Sequence, residues 1–144
     1  MTPEIPLNPP TNTVSLTQPG KGQLWTGRIL FLVAVAFMLF DAVGKIIRPV
    51  QVVEASAQLG YNASTLPAIG IALLVCTIAY IIPRTSVLGA ALMTGYLGGA
   101  VASMVRIGAP TFELIFPMLF ATILWISLWL RTPQLRSLFP LVRN

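Results

Sequence analysis

A chain of 144 residues is long enough for one domain. It is 56% hydrophobic and 9% charged, with mean hydropathy +0.82 and a formal net charge of +5. Soluble domains carry about 25% charged residues, so this composition excludes an ordinary water-facing surface; the absence of histidine and the single Cys76 also exclude histidine base chemistry, an intrachain disulfide and a Cys-x-x-Cys redox pair.

The stretch Met1 to Gly20, "MTPEIPLNPPTNTVSLTQPG", is rich in Pro, Thr and Asn and has no apolar periodicity. Residues 1–21 are therefore expected to form a disordered tail. The first predicted span runs from about Leu24 to Ile47. A signal-peptidase-like triplet, Ala34-Val35-Ala36, lies in the middle of its apolar run rather than at the end, so a retained anchor is expected.

Pro49 breaks that helix. In Arg48 to Asn62, Val50, Val53 and Ala57 fall near one face and Gln51, Glu54 and Gln58 on another. This predicts a short amphipathic helix on the outer surface, ended by Gly60 and placed as a lid, with a plain loop as the alternative. The second span is predicted over Leu66 to Ile82, capped by Ser64 or Thr65, with Pro67 in its first turn and Pro83 at its end. The third runs from about Val87 to Ile107, capped by Thr85 or Ser86. A tight turn at Gly108-Ala109-Pro110 leads into the fourth, Phe112 to Leu130, with Thr111 as cap. Each approaches the roughly 20 residues that cross a bilayer core.

The expected fold is thus all-α, a polytopic membrane four-helix bundle over 22–131 with one short outer helix between the first two spans and a cytoplasmic tail over 132–144. Lys21, Arg28, Arg84, Arg131, Arg136 and Arg143 flank one side and Lys45, Arg48 and Arg106 the other. The positive-inside rule then places both termini in the cytoplasm, in the cell inner (plasma) membrane, with Trp25, Trp125 and Trp129 as a belt near that face. Basic residues at the ends of apolar segments indicate topology, not nucleic-acid binding. No phosphate-binding loop, dinucleotide fingerprint or zinc motif is present, so neither cofactor nor metal is expected.

Two constellations stand out. In the third span Ala91, Gly95, Gly99 and Ser103 are spaced by four, beside a second row of Ala90, Thr94, Gly98 and Ala102. Small residues at this spacing let helices approach closely in lipid, which predicts helix packing at the centre of the bundle or between copies. The second constellation is charged. Asp41 and Lys45 lie one turn apart near the end of the first span, Arg106 closes the third and Glu113 opens the fourth. Ionisable groups at membrane depth are costly unless paired, so these four are expected at one depth, as an ion-pair network or as a polar pocket for a quinone ring or lipid headgroup. The two carboxylates are more simply ion-pair partners than catalytic acid and base.

At these residues the chain resembles the DoxX-like family of small four-helix membrane proteins. The resemblance runs from about Leu30 to Pro140 and rests on "DAVGKI" (Asp41 to Ile46), "LGY" (Leu59 to Tyr61), "IPRTSVLGAALMTGYLGGAVASMVRIGAP" (Ile82 to Pro110) and "LFATILWISLWLRTPQLRSLFP" (Leu119 to Pro140). It implies four membrane helices and, since the family takes its name from a subunit of a thiosulfate:quinone oxidoreductase, association with a membrane redox protein. Against the pattern "THLRVGDP" at the end of the third helix, Met104 replaces His and Ala109 replaces Asp, while Arg106, Gly108 and Pro110 are kept. The expected function is a non-catalytic subunit or scaffold of a quinone-linked redox system; the alternative is a binder or transporter of a small amphiphile.

Overall fold

The computed structural model describes residues 21–132 and Leu135. The two expected tails lie almost wholly outside the described residues. Five helices follow in order: α1 (Lys21–Ile47), α2 (Val50–Gln58), α3 (Leu66–Ile81), α4 (Ser86–Arg106) and α5 (Thr111–Arg131), with no strand among the described residues. The architecture is all-α, as the apolar periodicity predicts, and α2 is the short helix expected after the first span.

Among the described residues three helices are long and apolar enough to cross a membrane: α1 with 27 residues, and α4 and α5 with 21 each. Helix α3 has 16 residues. At 1.5 Å per residue it measures about 24 Å, against a hydrocarbon core of about 30 Å. It is a shorter apolar helix packed among three longer ones.

Helix ends follow the backbone chemistry of proline and glycine. Arg48, in the left-handed region (φ 60), precedes Pro49 and separates α1 from α2. Ile82 is extended before Pro83 at the end of α3. Gly108, with φ 69, turns the chain from α4 towards α5. The expected hydroxyl caps are not made. Thr65 and Thr85 occupy the N-cap positions, but their hydroxyls donate backwards, to the Asn62 carbonyl at 2.7 Å and the Ala79 carbonyl at 2.8 Å. Carbonyls in the last turn of a helix lack intrahelical donors, and the Thr85 hydroxyl serves one of them. Pro110, not Thr111, is the N-cap of α5.

Helices α1, α3, α4 and α5 form a ring in which α1 packs on α3 and α5, and α4 packs on the same two. Neighbours run antiparallel: Phe31 near the start of α1 meets Tyr80 at the end of α3, and Gly27 of α1 meets Leu130 of α5. We call the end where α1 begins and α5 finishes proximal, and the other end distal. Ala34, Met38, Leu73, Met93 and Leu124 fill the centre. The hydroxyl of buried Tyr80 crosses it to donate to the Leu124 carbonyl at 2.9 Å, and buried Ser127 donates to the Gly27 carbonyl at 3.0 Å. Phe37 and Phe120 stack with ring centroids 4.2 Å apart. Leu32, Val75, Leu88 and Leu119 face outward, the side-chain chemistry that a lipid bilayer requires.

Close helix approach comes from glycines outside the predicted ladder. A Cβ on Gly70 would lie 2.8 Å from the Ala42 carbonyl oxygen, one on Gly27 would lie 2.9 Å from the Leu130 Cβ, and one on Gly89 would overlap the backbone of Tyr80. The expectation that the ladder seats α4 at the bundle centre is corrected. Helix α4 is one corner of the ring, Ala91, Gly95 and Gly99 are exposed, and a Cβ on Gly95, Gly98 or Gly99 would meet nothing within 4 Å. Of the four ladder residues only Ser103 is buried. The reason is helical phase: steps of four residues advance about 400° at about 100° per residue, so the row drifts about 40° per step. Over three steps it rotates from lipid to interior.

Candidate functional site

The charged residues singled out by sequence lie towards the distal end, at different depths. Asp41 sits six residues before the end of α1, about 9 Å below it, while Arg106 is the last residue of α4 and Glu113 lies in the first turn of α5. The structure joins two of the four. Lys45 donates to Asp41 across one turn of α1, and both side chains are partly buried; this is the one ion pair among the described residues. Arg106 instead donates to the Leu59 carbonyl at 3.0 Å. Glu113 is exposed. A single four-charge network is not formed, because the turn that carries Leu59 and Gly60 takes the Arg106 guanidinium at the surface.

Two tyrosines complete the cluster; Tyr61 belongs to the "LGY" stretch that carries the resemblance, but neither is among the site residues expected from sequence. Tyr96, from α4 on the opposite corner of the ring, donates to Asp41 Oδ2 at 3.4 Å. Tyr61, after α2, lies 2.6 Å from the Ser103 hydroxyl. Ser103 donates its proton to the Gly99 carbonyl at 2.9 Å, which leaves Tyr61 as the donor of that pair. The available signal was a tyrosine inside an apolar helix, since a buried phenol needs a partner for its hydroxyl.

Helix α2 closes this end. Its Ser56 is buried, Val52 reaches Gly44 of α1, and the Tyr61 and Arg106 bonds tie its C-terminal turn to α4. The geometry therefore gives a carboxylate and an ammonium, already paired, with a phenol aimed at the carboxylate and a short helix anchored above them. Such a group can hold a hydrogen-bonding head whose remainder is apolar. Among the described residues no group of three or more His, Cys, Asp or Glu side chains comes together.

Residues 29–127 match the DoxX-like family. The chain belongs to the DoxX-like family. In this DoxX-like protein the matched region reaches from α1 to α5 and contains Asp41, Lys45, Tyr61, Tyr96, Ser103 and Arg106, so the whole distal cluster lies within it. No curated protein and no solved structure matches the chain.

Proposed function

We propose that this DoxX-like protein is a non-catalytic subunit or scaffold of a quinone-linked redox system in the cell inner (plasma) membrane, with both termini in the cytoplasm. The observation that carries the scaffold reading is the open face of α4. Ala91, Gly95 and Gly99 are exposed, and nothing in the described chain lies within 4 Å of a Cβ on either glycine. In lipid, helices associate by close packing over small residues, so this face suits another membrane helix. The redox assignment rests on the family resemblance, and the orientation on the excess of Lys and Arg flanking the proximal end.

Gly95→Leu and Gly99→Leu test the reading, because they leave the protein's own bundle undisturbed. After gentle extraction from the native membrane, native mass spectrometry should find the wild-type chain with a flavin-, haem- or thiol-bearing membrane protein and the variants without it. A wild-type chain that emerges alone, together with unchanged membrane redox activity on deletion, removes the proposal.

A second reading, binding of a quinone or lipid at the distal cluster, is favoured by one observation: Tyr96 aims its hydroxyl across the ring at the paired Asp41. Thermal shift with a quinone analogue should be large for the wild type and small for Asp41→Asn. Equal shifts in both exclude the cluster as the site.

A further inference from the structure

The proximal end carries charge of a different kind. Among the described residues every acid lies at or towards the distal end: Asp41 in α1, Glu54 in α2 and Glu113 at the start of α5. There Lys45, Arg48 and Arg106 balance them. Arg28, Arg84 and Arg131 stand at the proximal end with no described carboxylate.

Two of these arginines line one cavity of about 430 Å³, set between the end of α3, the α3–α4 turn and the end of α5. Ser86 and Thr132 contribute the other polar groups, and Ile81 and Pro83 an apolar wall. The volume lies in the range of small-ligand sites, roughly 300–1,000 Å³.

Arg131 is held in place. Its guanidinium lies 3.8 Å above the Phe31 ring centroid and 5.7 Å from that of Tyr80, and its Nε donates to the Ser127 carbonyl at 3.3 Å. Two aromatic faces and one carbonyl fix the plane and leave the terminal nitrogens without a protein acceptor among the described residues. Arg84 is exposed on the turn and likewise has no acceptor there. Planar guanidinium groups recognise phosphate by paired, charge-assisted hydrogen bonds. The cavity opens beside the start of α4 and the end of α5, two helices long enough to cross a membrane, where lipid headgroups lie.

We infer that the proximal cavity binds an anionic phosphate group, with Arg131 as the fixed donor, Arg84 as the closing one and the Ile81–Pro83 wall beside the ligand's apolar part. A phospholipid headgroup and a soluble phosphate share this chemistry, and the experiment separates them.

The full chain is placed in nanodiscs of mixed phosphatidylcholine and phosphatidylglycerol, and the lipids retained after extraction are read by native mass spectrometry. In parallel, inorganic phosphate is added to the chain in a maltoside detergent, which carries no phosphate, and thermal unfolding is followed. Arg84→Gln is the test variant, since that side chain has no hydrogen-bond or ion-pair partner among the described residues, and Arg28→Gln is the control for general charge. Loss of one charge-assisted contact corresponds to about tenfold weaker binding. Enrichment of phosphatidylglycerol that falls about tenfold in Arg84→Gln and persists in Arg28→Gln supports the site with lipid as the source. A phosphate-dependent thermal shift with the same dependence supports it with soluble phosphate as the source. No enrichment and no shift, or equal losses in the two variants, overturns the proposal.

Discussion

Replacing Gly89 by alanine should cost this protein about 3 kcal/mol, whereas the same change at Gly95 on the same helix should cost nothing. A Cβ on Gly89 would stand 2.5 Å from the Tyr80 Cα and 2.7 Å from the Ala79 carbonyl carbon. Relaxed carbon contacts are about 3.5–4.0 Å, so the start of α4 would have to move about 1 Å from α3. The obstructing atoms are backbone, which no rotamer change can clear. Overpacking costs typically 1–3 kcal/mol, and a clash with fixed backbone belongs at the upper end. The shift would also strain the α3–α4 turn, where the Thr85 hydroxyl bonds Ala79 and the Gly89 amide bonds the Thr85 carbonyl. At Gly95 a Cβ meets nothing within 4 Å, and alanine gains up to about 1 kcal/mol of helix propensity. Unfolding of the purified chain in mixed micelles, titrated with denaturing detergent and followed by circular dichroism, measures both. If Gly95→Ala unfolds as early as Gly89→Ala, the outward face of α4 is not free and the argument from close approach fails.

Three further outcomes follow from the same geometry. Tyr80→Phe removes the hydroxyl that reaches the Leu124 carbonyl across the centre and should cost about 1 kcal/mol in the same titration, with no change in helix content. Arg106→Gln releases the Leu59 carbonyl, so amide exchange over residues 50–61 should accelerate while exchange in α3 and α5 stays unchanged. A double-mutant cycle with Asp41→Asn and Lys45→Gln should return a coupling of about 1 kcal/mol, with the double variant losing less stability than the sum of the two single losses; zero coupling would mean that the ion pair contributes nothing to the bundle.

The helical class and the breaks were legible because proline and glycine act locally. Pro49, Pro83 and Pro110 mark ends, while Pro117 sits inside α5 without ending it. The Asp41–Lys45 pair was legible for the same reason, since its spacing sets its geometry within one helix. The Asp41–Tyr96 bond was not, because it joins opposite corners of the ring and depends on the order in which four helices pack. Helix α4 shows the limit most clearly. Small residues signal that a close approach is possible but not which neighbour makes it. The isolated Gly89 faces α3, while the conspicuous repeat of Gly95 and Gly99 faces outward. Arg106 shows a second limit: a charge at the end of a helix serves whichever carbonyl a neighbouring turn offers, here the one between α2 and α3.

The bond from Ser127 to the Gly27 carbonyl joins residues 100 positions apart. During synthesis at about 5–20 residues per second, the first helix is finished roughly 5–20 s before its last neighbour exists. Helices α3, α4 and α5 are joined by short turns and can pair as they emerge. Helix α1 cannot complete its packing until the ribosome has delivered α5, and until then the Phe37 face, which stacks on Phe116 and Phe120, stands open to lipid or to insertion machinery. The ring is a structure that closes late, and its closure waits for the arrival of its last helix.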